Sequence, residues 1–169
     1  MGKLAVNIVS KSGVRVPLLI EELNKAYCDE WFAYIQYMEG AQVAKGMPRP
    51  NLLPELEEHA AEELDHAKKL AKRIIELGGT PVIDPKMWYK YSTCGYAAPK
   101  DNDAKAILEQ NLRSERCAIA VYDRLIKMLD GRDPVTHRLL VKILEEELEH
   151  EQDLEDIEDD VKSLNCKKK

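Results

Sequence analysis

One phenylalanine, two tryptophans and seven tyrosines are all the aromatic residues in a chain of 169. That is too few for the core of a β-sandwich or barrel. Glycine and proline number only eight each, so tight turns are infrequent and an all-α chain is expected. No apolar run approaches the about 20 residues of a membrane span. The N-terminal "MGKLAVNIVSKSG" has too short an apolar run for a secretory signal and lacks Ser or Thr at the sixth position for myristoylation. A soluble, cytoplasmic protein is therefore expected, with no membrane partner. Cys28, Cys94, Cys117 and Cys166 form no C-x-x-C pair, and the chain is large enough to bury a core without disulfide staples. An excess of positive charge is also missing. With 25 Lys and Arg against 31 Asp and Glu, the net charge of -6 argues against general binding to nucleic acid and favours cations as partners. The terminal Lys167 to Lys169 is too short to act as a DNA-binding arm.

The 44% hydrophobic and 33% charged residues are arranged at helical spacing, and residues 1–169 read as a single domain. After an irregular start to about residue 16, Pro17 opens a long helix that "GMPRP" stops after Lys45. A second begins around Asn51 to Pro54 and ends at Gly78-Gly79. The third has Asp101 and Asp103 as candidate caps and stops at Asp130-Gly131. Asp133-Pro134, a cap followed by proline at the first helical position, starts a fourth that runs to about Leu164, leaving a basic tail at about 165–169. Between the second and third lies "TPVIDPKMWYKYSTCGYAAPK", which is expected to cross the length of a four-helix bundle, with a short helix in "DPKMWYKY" and Met87 and Trp88 as its apolar anchor.

Each long helix carries an apolar stripe, and each stripe is interrupted at one place by charge. Glu30 interrupts the first and Glu115 the third; Glu63 and His66 interrupt the second, and Glu147 and His150 the fourth. Residues at i and i+3 share a helix face, so each Glu-x-x-His can offer oxygen and nitrogen to one ion. The halves also match: Glu63 follows Glu30 by 33 residues and Glu147 follows Glu115 by 32, and a tyrosine, Tyr37 or Tyr122, stands seven residues after each lone glutamate. A single Glu-x-x-His in so acidic a chain is usually solvated surface. Two on core stripes, each paired with an inward Glu, point to a metal centre instead. Burying four carboxylates together costs several kcal/mol per ion unless charge is compensated. Two divalent cations compensate it, since four Glu and two neutral His carry the opposite charge. Carboxylate and imidazole donors suit iron or manganese, with zinc as a substitute. His59 and His137 lie off this pattern and read as ordinary, partly exposed histidines. Tyr37 and Tyr122 read as core residues with one hydrogen bond, or as redox actors beside the site.

"STCGYAAP", "RSERCAIAVYDRL" and "DGRDPVTHRLLVKILEEELEHE" make the chain resemble the ferritin-like superfamily over about residues 10 to 158, and in particular its Dps-like ferritins, or thioferritins. That resemblance implies a bacterioferritin-type di-iron site within each subunit, a dodecameric hollow shell, and oxidation of Fe²⁺ by H₂O₂, or by O₂, with storage of the ferric product and protection against oxidative stress. It implies Glu30 and His66 as terminal ligands of one iron, Glu115 and His150 of the other, and Glu63 and Glu147 as bridges. It also pairs Cys94 with Cys117 beside the centre, where they are either a redox pair or two inert buried thiols. Departures narrow the relatives. Haem-binding bacterioferritins have Met where this chain has Leu64, so no haem is expected. Dps proteins with intersubunit sites use histidines from the first helix, and none precedes His59. Rubrerythrin-type C-x-x-C motifs are missing. Rival readings are a rubrerythrin-like peroxidase or manganese catalase without storage, and an acidic helical assembly protein without metal.

Overall fold

The computed structural model describes residues 3–166, and the basic tail Lys167 to Lys169 lies outside them. Six helices follow in order: α1 (Lys3–Lys11), α2 (Val16–Val43), α3 (Arg49–Glu76), α4 (Pro85–Tyr91), α5 (Ala104–Leu129) and α6 (Pro134–Cys166). Among the described residues there is no β-strand, and no helix is long and apolar enough to cross a membrane. The long helices start where the sequence offers caps. Asp103 accepts a hydrogen bond from the Ala106 N–H at 3.3 Å, and Asp133 accepts from the N–H groups of Val135 and Thr136, each at 3.2 Å, satisfying donors that a helix N-terminus leaves free. Asp133 is buried and is held in place by Arg73, whose Nη2 donates to it at 3.0 Å. That pair ties the end of α3 to the start of α6.

Short turns make α2–α3 and α5–α6 antiparallel hairpins. The direction of the second hairpin follows from one contact. Lys45, just past the end of α2, donates its N–H to Asn102 O at 2.7 Å and accepts from Ala104 N–H at 2.8 Å. The C-terminus of α2 thus meets the N-terminus of α5, so α5 runs parallel to α3, as the long crossover requires. Within the crossover, α4 is anchored by Trp88, which is buried, stacks on Trp31 at 5.1 Å and donates its indole N–H to Val82 O at 2.7 Å.

The core is divided in two. One cluster includes Leu23 of α2, Leu70 of α3, Leu125 of α5 and Ile143 of α6. The other includes Tyr37 of α2, Leu56 of α3, Leu108 of α5 and Leu154 of α6. Each fully buried leucine or isoleucine contributes about 1.5–3 kcal/mol, and these two apolar layers carry the polar layer between them.

The N-terminus departs from the expected irregular start. Residues Lys3–Lys11 form α1, and Val9 is buried in the first cluster with Val6 packed against it. A nine-residue helix is too short to show periodicity or to be stable alone; contact with α2 and its neighbours stabilises it. α6 likewise extends to Cys166, slightly beyond the expected stop.

Candidate metal centre

Between the two apolar clusters the four long helices bring together all six residues that interrupted the stripes. Glu30, Glu63, His66, Glu115, Glu147 and His150 are each at most 2% exposed. The His66 Nδ1 lies 3.2 Å from Glu30 Oε2, from Glu63 Oε2 and from Glu147 Oε1. The His150 Nδ1 lies 3.4 Å from Glu63 Oε1, 3.6 Å from Glu115 Oε2 and 3.6 Å from Glu147 Oε2. Two four-residue sets result, each with its donor atoms within 4.8 Å of one another. Glu63 and Glu147 belong to both, and each turns one oxygen to either set.

Side chains behind the sets hold them in place. Tyr37 Oη donates to Glu115 Oε1 at 2.5 Å, and Tyr122 Oη donates to Glu30. The tyrosine of each hairpin therefore fixes the lone glutamate of the other. The two imidazoles are oriented the same way: His66 Nε2 is 2.7 Å from Glu146 Oε2, and His150 Nε2 is 2.7 Å from Glu62 Oε2. A carboxylate accepting the Nε2–H selects the tautomer with the lone pair on Nδ1, the atom facing the site. The apolar stripes do not single out Glu62, although the sequence carries a signal for it. "EELDH" at 62–66 and "EELEH" at 146–150 repeat the same Glu-Glu-Leu-x-His, and the first glutamate of each repeat braces the histidine of the other.

The electrostatics of the cluster favour added positive charge. Burial and the negative charges of Glu147 and Glu30 hold Glu63 well above the ordinary carboxylate range, and burial with Glu147 pushes Glu115 up to about 7. Burial disfavours charge on His66 and His150, yet the surrounding glutamates outweigh it and raise both. Glu63 Oε1, Glu115 Oε2, both oxygens of Glu147 and His150 Nδ1 are buried with no hydrogen-bond partner. Unpartnered buried acceptors of this kind are costly. Five converging on one volume, all carboxylate oxygen or imidazole nitrogen, fit a pair of divalent cations of the iron, manganese or zinc type.

His59 corrects an expectation. It is 2% exposed rather than partly exposed, and it stacks on His150 with ring centroids 4.0 Å apart and an interplanar angle of 24°. Burial, with a smaller contribution from His150, pushes its pKa down to about 3. Standing three residues after Leu56 and four before Glu63, it lies on the stripe after all. His137 is half-exposed.

Cys94 and Cys117 form a disulfide joining the crossover to α5; Cys28 is buried and free. The crossover is held against α2 by Asp29, next to Glu30, which accepts from Ser92 Oγ and from the N–H groups of Thr93 at 2.8 Å and Cys94 at 2.9 Å.

With this geometry in hand, the comparisons with known proteins are consistent. A family model described as Ferritin-like domain matches residues 20–164. The chain is 33% identical over 145 residues to a DNA protection during starvation protein of Pyrococcus furiosus, covering 85% of this chain and 78% of that one. It is 34% identical over 147 residues to a bacterioferritin of Desulfovibrio desulfuricans, covering 86% and 77%. Among solved structures, a bacterioferritin-related protein of Bacteroides fragilis, described as a dodecameric thioferritin, superposes with a TM-score of 0.96 at 43% identity over 98% of both chains.

Proposed function

The chain belongs to the ferritin-like family, related to Dps and bacterioferritin proteins, and on that premise we propose that it oxidises Fe²⁺ at its buried centre and stores the ferric product. The observation that carries this reading is the division of Glu63 and Glu147, whose two oxygens each face different sets. In the proposed arrangement Glu30 and His66 hold one Fe²⁺, Glu115 and His150 hold the other, and Glu63 and Glu147 bridge. A bound pair of this kind supplies two one-electron oxidations to a single two-electron oxidant. With H₂O₂ the overall balance is two Fe²⁺, one H₂O₂ and two protons giving two Fe³⁺ and two waters, so no hydroxyl radical is released.

The surrounding side chains support this arrangement. Tyr37 and Tyr122 fix the rotamers of Glu115 and Glu30, so the carboxylates are preorganised. Glu62 and Glu146 hold the Nε2 protons of His150 and His66, which leaves the Nδ1 atoms as the positions a cation takes and from which a proton must leave. The apolar clusters on either side exclude bulk water. The disulfide stands near α5 residue Glu115 and is proposed as a redox pair beside the centre.

The assembly proposed is a cytoplasmic dodecameric shell with the ferric mineral inside, following the description of the Bacteroides fragilis protein. Haem forms no part of it, since Leu64 stands where haem-binding relatives have Met. Nor does direct DNA binding, given the net charge of -6.

The test is anaerobic titration with Fe²⁺, then H₂O₂ or O₂, read by absorbance, by iron per particle and by particle size. Soluble particles should accumulate many irons per chain, and Glu147→Ala and His150→Ala should abolish the fast oxidation. Saturation at two irons per chain would sink storage and leave a peroxidase; unchanged oxidation in both variants would remove the site.

A further inference from the structure

We propose that Glu55, His59 and Asp153 form a third cation site, set against the His150 end of the paired centre and open to solvent. The His59 Nε2 lies 3.5 Å from Asp153 Oδ2 and 3.8 Å from Glu55 Oε2, and the three donor atoms fall within 4.8 Å of one another. Neither contact is a hydrogen bond. Ligands sharing one cation at metal–ligand distances of about 2.0–2.2 Å are separated by about 3.0–3.5 Å, so a small closure of these side chains would place all three on one ion.

His59 is the independent observation that lifts this above a group of surface carboxylates. Its ring is 2% exposed, makes no hydrogen bond to any of the described residues, and leaves Nδ1 buried without a partner among them. It is held between His150, stacked at 4.0 Å, and Tyr37, edge-on at 5.3 Å. This packing directs Nε2 toward the two carboxylates, which are 32% and 49% exposed. A neutral imidazole and two carboxylates balance a divalent charge, and three protein ligands leave further positions for water. An exchangeable station fits that ligand count better than a closed structural site does.

The internal repeat locates the station at one end only. Glu62, Glu63 and His66 recur 84 residues later as Glu146, Glu147 and His150, but at the same offset Glu55 and His59 become Leu139 and Ile143, and Asp153 corresponds to Lys69. Lys69 lies 3.3 Å from Glu146, placing a cation of the protein itself at the His66 end. Lys69, paired with both Asp65 and Glu146, offsets part of the negative charge at the His66 end, whereas Glu55 and Asp153 at the His150 end face only the imidazole of His59. The chemistry selects a first-row divalent ion with mixed nitrogen and oxygen preference. That the ion is Fe²⁺ on its way to or from the pair rests on the function proposed above.

Zn²⁺, redox-inert, is the probe. Crystals of the whole protein soaked in Zn²⁺ are examined by anomalous diffraction, beside equilibrium dialysis in solution. The expected result is an anomalous peak bonded to His59 Nε2 in addition to those in the pair, and its loss, with the pair retained, in Asp153→Asn/Glu55→Gln and in His59→Leu. The surface double variant guards against a folding defect in the buried one. Peaks in the pair with none at His59 would overturn the proposal and leave the paired centre standing. A peak at His59 with none in the pair would support the third site and remove the function proposed for the pair.

Discussion

Filling the paired centre with two divalent cations should expel more than about one proton per chain at pH 7. In the metal-free protein burial works against charge on His66, but hydrogen bonds to Glu147, Glu30 and Glu63 raise its pKa above the ordinary 6.5. Burial likewise opposes charge on His150, and Glu115, Glu147 and Glu63 raise it. Both rings therefore favour the protonated form near neutrality. Glu63 is held well above 4.5 by burial and its negative neighbours, which favours its protonated form, and Glu115, at about 7, keeps about half a proton at pH 7. A cation needs the lone pairs those protons occupy. Apparent affinity for the pair should rise more than about tenfold per pH unit near neutrality. Calorimetric titration of Zn²⁺ into metal-free protein, in buffers of different ionisation enthalpy, counts the protons; release of fewer than about one per chain would refute the reasoning. The same shifts set the stability of the metal-free protein. For Glu115, raised from 4.5 to about 7, the contribution is fully present below pH 4.5 and is lost as pH rises through 7, a loss on the order of 3 kcal/mol. The raised histidines act in the same sense above 6.5. Metal-free protein should consequently unfold at lower urea as pH rises from 5 to 8, while Zn²⁺-loaded protein should not.

Glu62→Ala removes the carboxylate that orients His150 and should weaken metal binding about 10–100-fold without loss of helicity, measured by competition with a chelator; unchanged affinity would show that the tautomer needs no support. Cys117→Ser opens the 23-residue loop closed by the disulfide and should cost about 3 kcal/mol in urea unfolding, and reducing agent should have the same effect on the unaltered protein but none on the variant. Arg73→Ala leaves buried Asp133 without its cation and should cost about 3–5 kcal/mol; a loss under about 1 kcal/mol would show that the Thr136 contacts suffice at the α6 cap.

Much of the molecule is legible without coordinates because helical periodicity is a local property. Stripes three and four residues apart predict the four long helices, and Glu30, Glu63, His66, Glu115, Glu147 and His150 stand out because charge on an apolar stripe needs compensation wherever the helices pack. Asp103 and Asp133 announce their caps for the same local reason, and the repeat between hairpins implies that the two halves face each other. Properties that depend on distant packing are different. α1 is too short to be stable by itself, and its existence depends on Val9 finding a core. His59 carries no sign of its neighbours, and only the approach of α6 to α3 places it on His150 and opposite Asp153. Glu62 and Glu146 look like solvated charge until the crossing of α3 and α6 sets each against the histidine of the other helix. The sequence by itself marked the six charged residues of the apolar stripes as turning inward, because that follows from one helix at a time, and it left His59 out. The tertiary structure decided which oxygen faces which nitrogen and which carboxylates face His59, because those depend on the register between helices far apart in the chain.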